Sequence, residues 1–243
     1  MRKKLAAVVV VLQIVVALQL VLAGAIPPAN AQAQTPASAY PAMAPLDQYL
    51  IADKDSEITL ARSAAPKSIS DAAEVMVLTR DGYATAAKGT NGFLCIVERG
   101  WAAPSDSPDF WNPKLRGPNC YNPAAAKSYV PIYLMRTKLV LAGKSRPEIV
   151  AESESALKTN QLPSLEPGAM CYMLSKSQYL GDEGKSWHPH LMFFVAGDVE
   201  KTWGADQPGS PIIASNNPEE GVTIFMVLVP KWSDGTPAPA AGH

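Results

Sequence analysis

The chain has 243 residues, 47% of them hydrophobic, and carries a net charge of −1. That is ordinary globular composition, suited to one domain of middling size once the ends are discounted. No cluster of Lys or Arg follows the first few positions, so the basic face that phosphate neutralisation needs is missing and nucleic acid is not expected as a partner.

Arg2, Lys3 and Lys4 open the chain, Leu5 to Ile26 are mainly apolar, and Ala29-Asn30-Ala31 places small residues where a signal peptidase reads. The pattern predicts a signal peptide over 1–31, with Ala31-Gln32-Ala33 as a second cutting point. The apolar run is long enough to act as an uncleaved anchor, but Gln13 and Gln19 interrupt it, and cleavage is the expectation. Removal takes three positive charges and moves the net charge from −1 to −4. The mature protein is expected in the periplasm or outside the cell, with no stable membrane span.

Residues 32–45, rich in Ala, Pro, Ser and Gln, read as a flexible lead, and residues 46–232 as one α+β domain. Leu46 to Ala65 reads as helical, with Asp53 as a cap and Pro66 as the stop. Val75–Arg80, Tyr83–Lys88 and Phe93–Arg99 follow as strands. Asp81-Gly82 and Asn91-Gly92 separate them, and both pairs accept the positive φ of tight hairpin turns, which predicts a β-meander. Residues 101–123 hold five prolines interleaved with Trp101, Phe110, Trp111 and Tyr121 and read as a long loop. Its aromatic rings suit either a ring ligand or the edge of a core.

Asn122 to Lys144 reads as a helix kinked at Pro131 and ended by Gly143. Ser145-Arg146-Pro147-Glu148 is a capping box that starts a second helix, running to about Thr159. Ala169–Ser175, His190–Ala196 and Thr223–Val229 are the remaining strands; residues 203–218 read as loop and 233–243 as a disordered tail. The fold class is therefore α+β: an antiparallel sheet of about five to six strands, with helices between a leading meander and trailing strands. The order resembles PAS-like and profilin-like sensor domains in topology alone, which carries no function.

Three cysteines in an exported chain allow one internal bridge. Cys95–Cys120 is preferred, because it ties a long loop to the preceding strand and removes about 3 kcal/mol of chain entropy. Cys120–Cys171 and no bridge at all stay open. Gly184-Lys185-Ser186 and Gly143-Lys144-Ser145 end like phosphate loops, but the upstream glycine is Tyr179 in one and Lys138 in the other.

Trp187-His188-Pro189-His190-Leu191-Met192 holds two of the three histidines. If it is extended, both rings project to one side, with Met192 continuing the row. Cys171 and Met173 on a neighbouring strand would complete a soft donor set for copper or, less well, zinc, with His188, His190 and Cys171 as ligands. The competing reading is a hydrogen-bonded structural pair. No catalytic residue is assigned: a Gly-x-Ser-x-Gly elbow is absent, and Cys171 lies in an apolar run that would not lower its thiol pKa. The neighbouring carboxylates Asp182/Glu183 and Glu219/Glu220 read as solvated loop surface.

Thr90-Asn91-Gly92-Phe93-Leu94-Cys95, Pro167-Gly168-Ala169-Met170-Cys171-Tyr172-Met173-Leu174-Ser175 and Trp187-His188-Pro189-His190-Leu191-Met192 resemble strings in a family of exported bacterial proteins with no assigned activity. The resemblance covers residues 61–235 and implies export and a bacterial origin, without a catalytic residue. The expected function is a non-catalytic domain that binds a small molecule or a protein through Trp187, His188, His190 and Trp111; the alternative is a metal-binding protein or metal-dependent enzyme using the His188/His190 pair.

Overall fold

A computed structural model describes residues 39–239; the predicted signal peptide, residues 32–38 of the lead and the last four residues lie outside them. The first regular element is a 3₁₀ turn, Leu46–Gln48. Asp53, in extended conformation, then accepts a hydrogen bond from the Ser56 backbone N–H at 2.9 Å and starts α1 (Lys54–Arg62). After a short helix α2 (Lys67–Ser70), the chain enters β1 (Glu74–Thr79) and returns as β2 (Gly82–Ala87), with Gly82 at φ +113° in the turn.

The third strand departs from the expected meander. β3 (Leu94–Glu98) does not pair with β2; it lies on the other side of β1 and runs parallel to it. The burial pattern explains the arrangement. Leu94, Cys95, Ile96 and Val97 are all buried and need a neighbour on each side, whereas β2 exposes Ala84 and Thr85 and suits an edge. The connection hops over the start of β1, where the Thr90 N–H donates to the Ala72 carbonyl at 2.8 Å and the Glu74 N–H to Phe93 at 2.9 Å. A Cβ on Gly89 would overlap the Glu74 backbone nitrogen, so this crossing requires glycine.

β4 (Gly117–Tyr121), α3 (Pro123–Ser128), α4 (Val130–Leu141), α5 (Arg146–Lys158), β5 (Met170–Met173), β6 (His190–Ala196), β7 (Ile212–Asn217) and β8 (Val222–Leu228) complete the chain. The eight strands form one sheet in the order β2-β1-β3-β4-β5-β6-β8-β7, antiparallel except for β1 and β3. The sheet is thus larger than the expected five to six strands, and mixed. The two additions, β4 and β7, come from stretches that read as loop. Pro131 begins α4 instead of kinking a longer helix: the chain breaks at Tyr129, between α3, capped by Asn122, and α4. The Ser145/Glu148 capping box opens α5 as expected.

α1 covers one face of β1, β3 and β4, where Ala61, Ala64, Val75, Val77 and Val97 are buried. Cys95 and Cys120 are register partners on this face, 4.0 Å apart at Cα and disulfide-bonded. Cys120 therefore sits within a strand and not in the proline-rich loop. The opposite face packs against α3, α4 and the 3₁₀ turn Gly100–Ala102. There Trp101 is fully buried, with its indole N–H donating to the Thr137 hydroxyl at 2.9 Å. Between α1 and the end of β3, Arg99 and Glu57 form a buried ion pair at 2.9 Å, and the Leu78 N–H donates to the same Glu57 oxygen. Among the described residues no helix is long and apolar enough to cross a membrane.

Two stretches assigned to the ends also have defined neighbours. Tyr40, Met43 and Ala44 pack against the larger core. The Ser233 N–H donates to the Leu174 carbonyl at 2.9 Å, and Lys231 bridges Pro237.

Candidate functional site

β6 begins at His190; Trp187 to Pro189 precede it outside the strand, with the Pro189 carbonyl accepting from the Val229 N–H at 3.0 Å. His190 Nδ1 lies 2.7 Å from the His188 carbonyl. A carbonyl only accepts, so Nδ1 carries the proton and Nε2 keeps the lone pair. The ring is 2% exposed and contacts Trp187 edge-on at 4.7 Å, and burial pushes its pKa down to about 4. His188 is half-buried, and its ring lies 6.2 Å from that of Trp187.

The register does bring the sulfur-bearing strand alongside: Met173 pairs with His190, and Cys171 with Met192. Cys171, however, is fully buried, with its thiol toward the Asn119 side-chain oxygen at 3.5 Å, and burial pushes its pKa well above the usual range. Among the described residues no three His, Cys, Asp or Glu side chains converge as a metal site would require. Trp111 stands apart from this segment. It is 5% exposed and meets Phe110 at a right angle in the core. Asp182 faces Tyr40, Tyr179 and Lys114 at the surface.

A second arrangement lies elsewhere, where α4, α5 and the loop after α5 meet the β7–β8 hairpin. A cleft of about 390 Å³ opens there, with Leu157, Leu162, Leu165 and Val222 among its apolar walls. Behind its floor is an inner cavity of about 90 Å³ between α4 and the sheet. Tyr129, Ile132 and Glu220 line both. The helical repeat explains the floor: Ile132, Tyr133, Arg136 and Val140 form the inward side of α4, and Tyr129 stands just before its first residue. Arg136 is thereby carried into the interior, 1% exposed.

The β7–β8 turn supplies its counter-charge. Glu220 is 8% exposed and receives hydrogen bonds from Arg136 and the Tyr129 hydroxyl, each at 2.7 Å. Glu219 takes a second guanidinium nitrogen at 3.4 Å and the Ser105 hydroxyl. The pair that reads as solvated surface is therefore turned inward. Arg136 Nε, buried, has no hydrogen-bond partner.

On the sheet side, Glu98 at the end of β3 lines the inner cavity. It receives hydrogen bonds from the Tyr121 hydroxyl and, at 2.9 Å, from the Asn119 amide. Burial pushes its carboxyl up to about 7, and Glu220 adds to this; Tyr121, Asn119 and Arg136 act against it. Burial also raises the Glu220 carboxyl, opposed by Arg136 and Tyr129. Tyr129 stacks on Phe194 of β6 at 3.8 Å between centroids, and Tyr121 on the same ring at 6.2 Å. This is a concave site with apolar walls and a few converging polar groups, the form expected of a small-molecule pocket.

No family model, curated protein or solved structure matches the chain. The site thus rests on its geometry. Its residues come from β3, β4, α3, α4, β6 and the β7–β8 turn, a dispersal that leaves no local motif. One signal was available: Arg136 falls on the otherwise apolar stripe of α4, and a charge at such a position needs a buried partner.

Proposed function

We propose that the protein is an exported, non-catalytic domain that binds a small molecule in the cleft between α4, α5 and the β7–β8 turn. The observation that carries this reading is the cleft itself: at about 390 Å³ it has the size of ligand pockets, and its floor holds polar groups already fixed by one another. Export is supported by the N-terminal pattern and by the Cys95–Cys120 bridge, since disulfides persist in oxidising compartments.

Leu162 is a half-buried loop residue in the cleft wall, suited to a blocking substitution. Nile red, a neutral apolar dye, is expected to bind the purified protein with enhanced fluorescence, and Leu162→Trp to abolish the signal while leaving the urea midpoint in place. Equal dye binding by wild type and variant would end this reading.

A second reading, a copper or zinc site at His188, His190 and Cys171, is favoured by the register that sets Met173 beside His190 and Met192 beside Cys171. The buried, protonated thiol stands against it.

A further inference from the structure

The inner cavity carries more chemistry than its size suggests. Four aromatic rings line it, those of Tyr121, Tyr129, Tyr133 and Phe194, together with the carboxyl groups of Glu98 and Glu220. Rings offer the negative faces of their π-systems, Glu220 offers a carboxylate, and Glu98 a carboxyl that a nearby cation would help to ionise. With Glu219, which lines the outer cleft only, three carboxyl groups stand near one guanidinium, that of Arg136. At the cleft rim Lys158 is already matched by Glu154 at 2.8 Å. An anionic group entering the cavity would meet acceptors, whereas a cation would meet aromatic faces and carboxylate oxygens. The volume, about 90 Å³, suits a compact group and is too small for a whole drug-sized ligand.

We propose that the inner cavity takes the substituted ammonium head of an organic cation, with the apolar remainder of that ligand lying in the outer cleft. The assignment rests on the small-molecule reading above and adds the ligand's class: a quaternary or alkylated amine on an apolar chain. Tyr129, Ile132 and Glu220 line both spaces, so a head in one and a tail in the other would both touch them. Glu220 is held in place by Arg136 and Tyr129, so one of its charges is partly matched; Glu98, bonded only to neutral donors, is the carboxyl group that a cation would complement.

The test uses octyltrimethylammonium, its neutral analogue in which carbon replaces nitrogen, and octanoate, titrated into the intact protein by calorimetry. The ammonium compound is expected to bind about tenfold or more tightly than the neutral analogue, and octanoate more weakly still. Glu98→Gln, which keeps an acceptor for Asn119, and Phe194→Leu, which keeps an apolar wall, should each reduce that preference, with urea midpoints confirming that both variants fold. Equal affinity for the ammonium and neutral compounds, both lost in Leu162→Trp, would overturn the head-group assignment and leave the cleft reading standing. Ammonium binding that survives Glu98→Gln, Phe194→Leu and Leu162→Trp would place the cation elsewhere and overturn the assignment. No binding of any of the three, alongside no Nile red signal, would overturn both.

Discussion

His190 and Glu98 occupy the same face of one sheet, at the start of β6 and the end of β3, and burial drives both towards the neutral form: the imidazole down to about 4, the carboxyl up to about 7. Their surroundings differ. His190 is completed by its own neighbours, the His188 carbonyl and the Trp187 ring, within four consecutive residues. Glu98 is completed by side chains from another strand and faces a cavity closed on its far side by a helix and a distant hairpin turn. The contrast teaches that a compact sequence motif can satisfy itself. The cleft proposed for a ligand is assembled from distant parts, where the pieces need not close completely.

Removing one partner from each region should separate them most sharply. Arg136→Leu strands Glu220 in the interior, where both side chains are almost fully covered, and is expected to destabilise the fold by about 3–5 kcal/mol. His190→Leu deletes one neutral hydrogen bond from a site that already excludes water, with an expected loss of about 1 kcal/mol. Urea unfolding measures both. Comparable losses would mean that the Arg136–Glu220 pair is not the anchor of the cavity floor.

A second, smaller difference is one of sign. Glu98 holds its proton more readily in the fold than in the unfolded chain, so it adds stability that is fully present below pH about 4.5 and fades as pH rises through about 7. His190 does the reverse, adding stability that is present above pH about 6.5 and lost as pH falls through about 4. The two contributions oppose each other in the wild type over the same window. Glu98→Gln should therefore compare best with wild type near pH 8 and progressively worse towards pH 4.5. His190→Gln should compare worst near pH 8 and improve towards pH 4. Unfolding free energies at several pH values would read both slopes, and slopes of one sign would contradict the assignment of burial as the common cause.

The same contrast governs what could be read from the sequence. Local chemistry was legible: Asp53 caps α1, Gly82 turns the β1–β2 hairpin, and Ser145 and Glu148 form their capping box. Asn91-Gly92 carries the same hairpin signature as Asp81-Gly82 but serves another purpose. The Asn91 side chain binds the Ile69 carbonyl at 2.8 Å and the Phe93 N–H at 3.1 Å, anchoring the crossing over β1. β4, Gly117-Pro118-Asn119-Cys120-Tyr121, consists largely of residues that strands disfavour, and its place between β3 and β5 overrides that preference. Trp101, Phe110 and Trp111 suited either a ligand or a core edge and are buried core, a choice that depends on what packs over them. Glu219 and Glu220 read as solvent-facing because a hairpin turn usually is; only the helix opposite turns them into part of a site.

The smallest expected effect tests the histidine pair itself. Among the described residues the His188 ring stacks on none and lies edge-on to Trp187 at 6.2 Å, and the atom that serves His190 is its backbone carbonyl, which alanine retains. His188→Ala should therefore change stability by no more than about 0.5 kcal/mol, as a substitution away from any buried network does. The result gains meaning beside a metal titration. If copper or zinc is taken up stoichiometrically by metal-free wild type, and uptake is lost in the His188→Ala/His190→Ala double variant, the motif is a site despite its closure. If neither metal binds stoichiometrically, the metal reading is overturned, and His188 serves His190 through its backbone carbonyl.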